Sequence, residues 1–347
     1  MLARTVFGIS RGVGGVSRLA GLGAGTTVPG RVATLLHPHA LETLSRNRAV
    51  ALISGTNGKT TVTAFLTAAL SDPVDSDSPP VATNATGSNL EAGLVTALLG
   101  RRANTAALEV DEVVLPQAIA ACRPAVVVLL NLSRDQLDRT SEVQIHANRW
   151  AEALRTTRAW VVANADDPLV VHAVTQARPG GDRVGWVAAG QPWRADSVLC
   201  PSCHRIWDLR PLHWSCRHCG LSRPNASWEL ADDLLRTPTG ALLPLKIALP
   251  GRPNLGNAAM AVAAAAALGV PADRSSERLR RVRTVAGRYN VGVVGGRRLR
   301  LLLAKNPAGW AVTLDELGRS DDPVIVAINA RRADGLDSSW LWDVPFE

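Results

Sequence analysis

Lysine is nearly missing from this chain. Of 38 basic residues only Lys59, Lys246 and Lys305 are lysine, which leaves arginine as the default cation. In such a background a lysine marks a place where a compact ammonium on a flexible stem does what a planar fork cannot. Long hydrophobic runs are missing as well: the longest nearly unbroken one, Ala258 to Val270, is 13 residues, short of the ~18 that suggest a membrane span. The N-terminus carries Arg4 but no compact apolar core followed by a small-residue cleavage site, so no secretory signal is read and a cytoplasmic protein is expected. Nor is there a disorder signature, since 46% of residues are hydrophobic and only 20% charged. At a soft prior of ~150 residues per domain, 347 residues correspond to two to three domains. The net charge of +8 would suit nucleic acid or an anionic membrane, but a solvated arginine-rich surface gives the same total, and no nucleic-acid partner is expected.

Residues 1–46 read as an N-terminal arm. Arg4, Arg11 and Arg18 recur at seven-residue spacing, which aligns them on one helical face as a solvated basic stripe leading to the turn His37-Pro38-His39. From Ala49 strands and helices alternate. Ala49–Ser54, Ala106–Val110, Ala125–Leu132 and Ala159–Ala163 read as buried strands; Thr60–Leu70, Leu115–Ala121, Ser141–Leu154 and Leu169–Gln176 read as helices. That alternation predicts an α/β domain with a largely parallel sheet over 47–286. Asp72 to Pro80, rich in Asp, Ser and Pro, reads as a surface loop, and Asn257–Leu268 as an alanine-rich helix. A further unit, 287–347, opens with strands expected at Tyr289–Val294, Leu299–Leu303 and Val324–Asn329.

The first lysine stands in Ser54-Gly55-Thr56-Asn57-Gly58-Lys59-Thr60-Thr61, between a strand and a helix. Backbone N–H groups of such a turn cradle phosphate oxygens, Lys59 can reach the terminal phosphates, and the Thr60 hydroxyl can ligate Mg²⁺. The position of the first glycine in the strict phosphate-loop pattern holds Ile53 instead. An ordinary glycine turn would not explain a scarce lysine here, so nucleotide binding is expected. Further along, Cys200-Pro201-Ser202-Cys203 and Cys216-Arg217-His218-Cys219 form two Cys-x-x-Cys knuckles. In a reducing compartment four thiolates at this spacing point to a structural Zn²⁺ site over 200–220, which leaves no open position for water. Cys122 reads as an incidental buried thiol. Trp193, Trp207, Trp214 and Trp228 lie in or near this insert, where packing around a tiny domain is their plainest use.

The variant Gly-Thr-Asn-Gly-Lys-Thr-Thr resembles the Mur ligase superfamily, an α/β fold with a P-loop ATPase domain and a Rossmann-like C-terminal domain. Leu108-Glu109-Val110-Asp111-Glu112 resembles the strand end that supplies a Mg²⁺-binding glutamate, here Glu109. Thr86-Gly87-Ser88-Asn89 is similar to a loop of the same site, and Asn164-Ala165-Asp166-Asp167-Pro168 to the family's Asn-x-Asp-Asp-Pro turn. Gly251 to Ala258 resembles a segment whose second asparagine, Asn257, the family places near adenine. The resemblance implies that Arg288 and Lys305 of the C-terminal domain reach the phosphates. Against the amino-acid-adding members, Gln136 replaces a histidine of Asp-His-Leu-Asp, and the position of the carbamylated lysine falls near Trp150. A carbamate-based second metal site is therefore not expected.

These departures, the zinc insert and the segments Leu303 to Trp310 and Asp334 to Asp343 resemble the MurT branch, the ligase subunits of lipid II isoglutaminyl synthases. The resemblance implies amidation of the D-glutamate α-carboxylate of lipid II through an acyl phosphate, with ammonia supplied by a GatD-type glutaminase subunit at the membrane surface. It also implies that an aspartate here completes the partner's triad, Asp337 being the choice and Asp334 and Asp343 the rivals. Trp340 and Trp342, alternating across Leu341, would share one face if extended. The family's C-terminal domain continues past Glu347, so an incomplete third unit is expected. Two other readings stay open: an amino-acid-adding or folylpolyglutamate-synthase-like ligase, and a zinc-ribbon nucleic-acid-binding ATPase, which would show salt-sensitive binding.

Overall fold

The computed structural model describes residues 5–10, 27–71, 81–85, 87–100, 103–134, 143–190, 195–210, 213–285, 289–318, 321–328, 339–344 and 346. In chain order the helices are α1 (residues 5–10), α2 (Val28–Leu36), α3 (Ala40–Ser45), α4 (Lys59–Leu70), α5 (Glu91–Gly100), α6 (Leu115–Cys122), α7 (Val143–Arg155), α8 (Pro168–Ala177), α9 (Arg252–Ala267), α10 (Ala272–Leu279) and α11 (Pro307–Leu317). The strands are β1 (Ala49–Ser54), β2 (Ala82–Thr83), β3 (Thr105–Glu109), β4 (Val126–Leu129), β5 (Trp160–Asn164), β6 (Val184–Ala188), β7 (Asp208–Arg210), β8 (His213–Ser215), β9 (Trp228–Ala231), β10 (Leu234–Arg236), β11 (Leu242–Pro244), β12 (Tyr289–Val294) and β13 (Arg297–Leu302).

Nine strands form one sheet in the order β11-β10-β9-β6-β5-β4-β1-β3-β2. From β6 to β2 every pair is parallel, and β9–β10–β11 add an antiparallel edge. A strand buried on both faces must be apolar throughout, and β1 obeys: Val50 and Leu52 enter one core, Ala51 and Ile53 the other. Helices α5 to α8 pack the first face and α4, α9 and α10 the second. Parallel neighbours need a long crossover; between β6 and β9 that crossover is the cysteine-bearing insert with its β7–β8 hairpin.

The register sets the site. Ile53 pairs with Glu109 and Ser54 with Leu129, so β1, β3 and β4 end together at the point where the chain leaves β1, and loops beyond such carboxyl ends build sites in open α/β sheets. Val6 and Phe7 of α1 sit in the first core, so this part of the arm docks on the protein; Arg4, Arg11, Arg18 and the loop 72–80 lie outside the described residues. No described helix is long and apolar enough to cross a membrane.

Three expectations need correction. The strand read over Ala125–Leu132 is shorter, Val126–Leu129. Residues 324–328, read as part of a strand, are not one, and Ile325 is 90% exposed; a strand needs a neighbour, and among the described residues β12 and β13 pair only with each other. Ser339–Asp343 is a 3-10 turn, so Trp340 and Trp342 are not an extended pair: Trp342 is exposed while Trp340 is half-buried.

Candidate functional site

The turn after β1 is built from glycines that nothing else can replace. Gly58, the N-cap of α4, has φ 88°, and a Cβ there would come 2.6 Å from Asn257 Oδ1. Gly55 (φ 145°) approaches the β4 exit so closely that a Cβ would meet Leu130 Cβ at 2.8 Å. The turn is stitched to that exit. Thr56 N–H donates to Asn131 O (2.9 Å), Asn57 N–H to Asn131 Oδ1 (2.8 Å), and Ser133 N–H to Thr56 Oγ1 (3.0 Å).

Lys59 is buried beside this turn. Its Nζ donates to Gly55 O at 2.5 Å, Thr56 O at 3.2 Å and Glu112 Oε2 at 3.2 Å. Burial pushes the Glu112 carboxyl above the usual carboxylate range, and Lys59 holds it back. Glu109, 2% exposed, ends β3 opposite Ile53. Its backbone is held from both sides by Asn84, whose Nδ2 donates to Glu109 O and whose Oδ1 accepts from Glu109 N–H, both at 2.8 Å. Thr60, in the first turn of α4, and Glu109 thus flank the same end of β1. The backbone carbonyl of Asn89 accepts from Asp111 N–H (3.1 Å), which sets that loop beside the acidic strand end. Trp150 is fully buried and its indole donates to Glu112 O at 3.0 Å, so a bulky apolar side chain fills the position near which a carbamylated lysine was considered.

A cavity of about 270 Å³ opens from the turn. Gly58, Thr60 and Thr61 line the end at this turn; Asn257 and Met260 of α9 line one wall, Ala189 and Gly190 another, and Leu302, Leu303, Ala308 and Thr313 close it from the C-terminal unit. Asn306 joins the two parts: its Nδ2 donates to Asn57 Oδ1 (3.2 Å) and its Oδ1 accepts from Gly309 N–H (2.8 Å) at the start of α11. Lys305 is half-buried next to it, whereas Lys246 is exposed after β11. Arg288, Gln136, Asp334 and Asp337 lie outside the described residues. Asp343 is ion-paired with Arg134 at 3.3 Å.

The Asn-x-Asp-Asp-Pro turn is scaffolding for this cavity. Asn164 Nδ2 donates to Leu130 O (2.8 Å). Asp167 caps α8, accepting from Leu169 and Val170 N–H, and also accepts from Leu132 N–H (2.9 Å). Asp166, 1% exposed, accepts from Ala189 N–H (2.8 Å), Gly190 N–H (2.6 Å) and the Arg223 guanidinium (2.8 Å). Residues whose roles sequence reasoning missed are Asn84 and Asn131, which hold the backbone of other residues, and Arg134 and Arg223, which pair with the carboxylates of Asp196, Asp343 and Asp166. Glu112 was visible in the acidic motif but carried no separate role.

The sulfur atoms of Cys200, Cys203, Cys216 and Cys219 lie within 4.8 Å of one another. A tetrahedral zinc with bonds of about 2.3 Å needs sulfurs about 3.8 Å apart, and the Cys200–Cys219 and Cys203–Cys216 contacts are 3.5 Å. The four thiols can hold one metal ion. Each knuckle turns through a left-handed residue, His204 (φ 58°) and Gly220 (φ 79°). Burial pushes the Cys200 thiol up to about 12; burial also opposes the Cys216 thiolate, but N–H groups of Cys219 and His218 donating to it bring it down to about 6. Trp214 and Val171 of α8 pack on the knuckles. Cys122 is buried away from them, with its thiol pushed up to about 11 by burial.

Known proteins share this arrangement. The Mur ligase middle domain family matches residues 53–184, and the MurT ligase C-terminal family matches residues 303–347. The lipid II isoglutaminyl synthase (glutamine-hydrolyzing) subunit MurT of Streptococcus pneumoniae is 30% identical along the whole of this chain, covering 82% of that relative. The chain belongs to the MurT family. A MurT of Staphylococcus aureus is 27% identical over 93% of this chain and 77% of its own length. Among solved structures, the pseudomurein peptide ligase type C of Methanothermus fervidus shares the fold with TM-score 0.59 at 23% identity, covering 77% of this chain. This chain spans only 56% of that ligase. Folylpolyglutamate synthase of Mycobacterium tuberculosis, solved with ADP, aligns with TM-score 0.54 at 15% identity over 80% of this chain and 67% of its own. The MurT ligase C-terminal match begins at Leu303, in the cavity wall, and takes in Ala308 and Thr313 of the same wall.

Proposed function

We infer that this protein is the ATP-binding ligase subunit of a glutamine-dependent amidotransferase acting on lipid II. The γ-phosphoryl group of ATP passes to the α-carboxylate of the D-glutamate in the stem peptide, giving an acyl phosphate and ADP. Ammonia, released from glutamine by a GatD-type partner, attacks the acyl carbon, and phosphate leaves to yield D-isoglutamine. The observation that carries this reading is that the MurT-type C-terminal segment is folded onto the phosphate loop, through Asn306 and Asn57 at 3.2 Å.

The N–H groups of 55–60 and the Lys59 ammonium would bind the transferring phosphoryl group, and Lys305 and Arg288 would neutralise it from the C-terminal side. Thr60 and Glu109 would hold Mg²⁺, which supplies charge neutralisation between the phosphates. Asn257 would stand at the adenine. The cysteine insert would hold Zn²⁺ as a structural ion. Asp337 would orient the catalytic histidine of the partner; Asp343 is the weaker rival because Arg134 already pairs with it. The arginine-rich surface would bring the enzyme to a membrane-bound, anionic substrate.

Co-purification with a candidate glutaminase, followed by mass spectrometry of lipid II incubated with ATP and glutamine, tests the reading. Replacement of one carboxyl hydroxyl by an amino group, with ADP formed, is the expected result; an unchanged lipid II from a well-folded complex would overturn it. In the same complex Asp337→Asn should abolish amidation from glutamine while sparing amidation from free ammonia. Equal loss of both would remove Asp337 from the triad.

A further inference from the structure

Two ties run from the cysteine insert to the walls of the cavity. Arg223 stands four residues beyond Cys219, and its backbone N–H donates to Trp214 O (3.1 Å) in the hairpin between the knuckles. From that anchored position its guanidinium reaches Asp166 with Nε and a terminal nitrogen both 2.8 Å from Oδ1. The other oxygen of Asp166 holds the N–H groups of Ala189 and Gly190, which line the cavity. On the entry side, Asp196, four residues before Cys200, takes Arg134 Nε at 2.5 Å and Arg134 N–H at 3.2 Å. Its neighbour Ser133 lines the cavity and is stitched to Thr56.

Asp166 carries the coupling because it is almost fully buried, at 1% exposure. A buried carboxylate stays in place only while its charge is met by donors, and withdrawing its cation leaves that charge uncompensated. The side chain then shifts, and with it the two N–H groups on its second oxygen. Arg223 is anchored to the β7–β8 hairpin, and two three-residue strands have only a small core around the knuckles, Trp214 and Leu221 with Trp207 and Leu209 packed against them, so a metal on the knuckles adds much of what holds the hairpin.

We propose that Arg223 is a positioning residue through which a metal-filled cysteine insert sets nucleotide affinity, by holding Asp166 and thereby the Ala189–Gly190 wall. The insert is a regulator of the ligase site as well as a staple. This rests on reading the cavity as a nucleotide site.

The test measures ADP binding, with Mg²⁺ present, by calorimetry on the full chain, loaded with Zn²⁺ or stripped by a zinc-selective chelator. Stripping the wild type should weaken ADP by about five- to tenfold, in the range of coupled sites. Arg223→Met should weaken the loaded protein by a similar factor and make it insensitive to stripping, and Arg223→Lys should restore part of the loss. Equal sensitivity to stripping in wild type and Arg223→Met would overturn the role of Arg223, because the insert would then act by another route. Reciprocity gives a second measurement that needs no variant: saturating ADP should raise the equilibrium affinity for Zn²⁺, measured in competition with the chelator, by the same factor. An unchanged Zn²⁺ affinity sinks the coupling. Absence of any ADP binding by the folded, zinc-loaded wild type would remove the nucleotide reading itself, and the coupling with it.

Discussion

The ammonium of Lys59 satisfies three acceptors at once, two carbonyls of its own turn and the carboxylate of Glu112. This is the task for which a compact cation on a flexible stem suits better than a guanidinium, and it explains a lysine in an arginine-rich chain. Lys59→Met should lower ATP turnover in the reconstituted amidation reaction by about 10²–10³-fold, the usual effect of removing one preorganised charge donor; a loss below tenfold would show that phosphate is held elsewhere. His146 gives a second residue-scale prediction. It is buried on α7, and neither ring nitrogen has a hydrogen bond among the described residues. Burial, with Arg149 nearby, lowers its pKa below the ordinary 6.5, against a weaker pull from Asp111. The unfolded chain therefore binds more protons between 6.5 and the lower folded value, and stability is lost as pH falls through that window. Urea midpoints at about pH 7.5 and about pH 5.5 should fall further apart for the wild type than for His146→Leu. Identical pH dependence of the two would show that His146 is not the titrating group.

At the scale of elements, the insert between β6 and β9 replaces the helix that a parallel crossover usually supplies. It is held by the knuckles, by Trp214 and by His172 of α8, whose Nδ1 lies 2.8 Å from Ser202 Oγ. Its three-residue strands contribute little to backbone structure, so losing metal should leave the sheet and helices folded. Metal analysis should find zinc in the wild type and none in Cys216→Ser. Tryptophan emission should shift to the red as Trp214, 1% exposed, gains water, while far-ultraviolet circular dichroism changes little. Collapse of the dichroism signal would mean that the insert supports the whole sheet. The elements also mark where reading the sequence succeeded. The strand, turn and helix around Lys59 were legible because apolar alternation, glycine and the scarce lysine all agree. Residues 324–328 were misread because an apolar run looks the same whether or not a partner strand exists.

At the scale of the molecule, the C-terminal unit meets the ATPase body through Asn306 on Asn57 and through Asp343 on Arg134. Arg134 also holds Asp196 at the entry to the insert, so one arginine beyond β4 ties two other parts of the chain to it. Arg134 and Asp343 are both more than a third exposed, and such a pair contributes little energy alone; its role is to fix geometry. Arg134→Ala should speed limited proteolysis within 289–328 by severalfold and raise KM for ATP more than it lowers kcat. Unchanged cleavage and KM would show that the Arg134–Asp343 pair does not fix this unit on the body.

By itself the sequence determined the chemistry on offer: a glycine-rich turn bearing a lysine, an acidic strand end, four cysteines in two knuckles, and the alternation of strands with helices. These are local, because glycine at a positive φ, a hydroxyl in a first helical turn and a Cys-x-x-Cys knuckle each work within a few residues. Only the tertiary structure decided what holds them in place. Asn84 on Glu109, Asn131 on the turn, Arg223 on Asp166 and Trp150 beneath Glu112 join residues 25, 74, 57 and 38 positions apart. Most of these contacts end on backbone groups, which every residue carries and no sequence pattern distinguishes, so the partner is chosen by where the fold brings the chain.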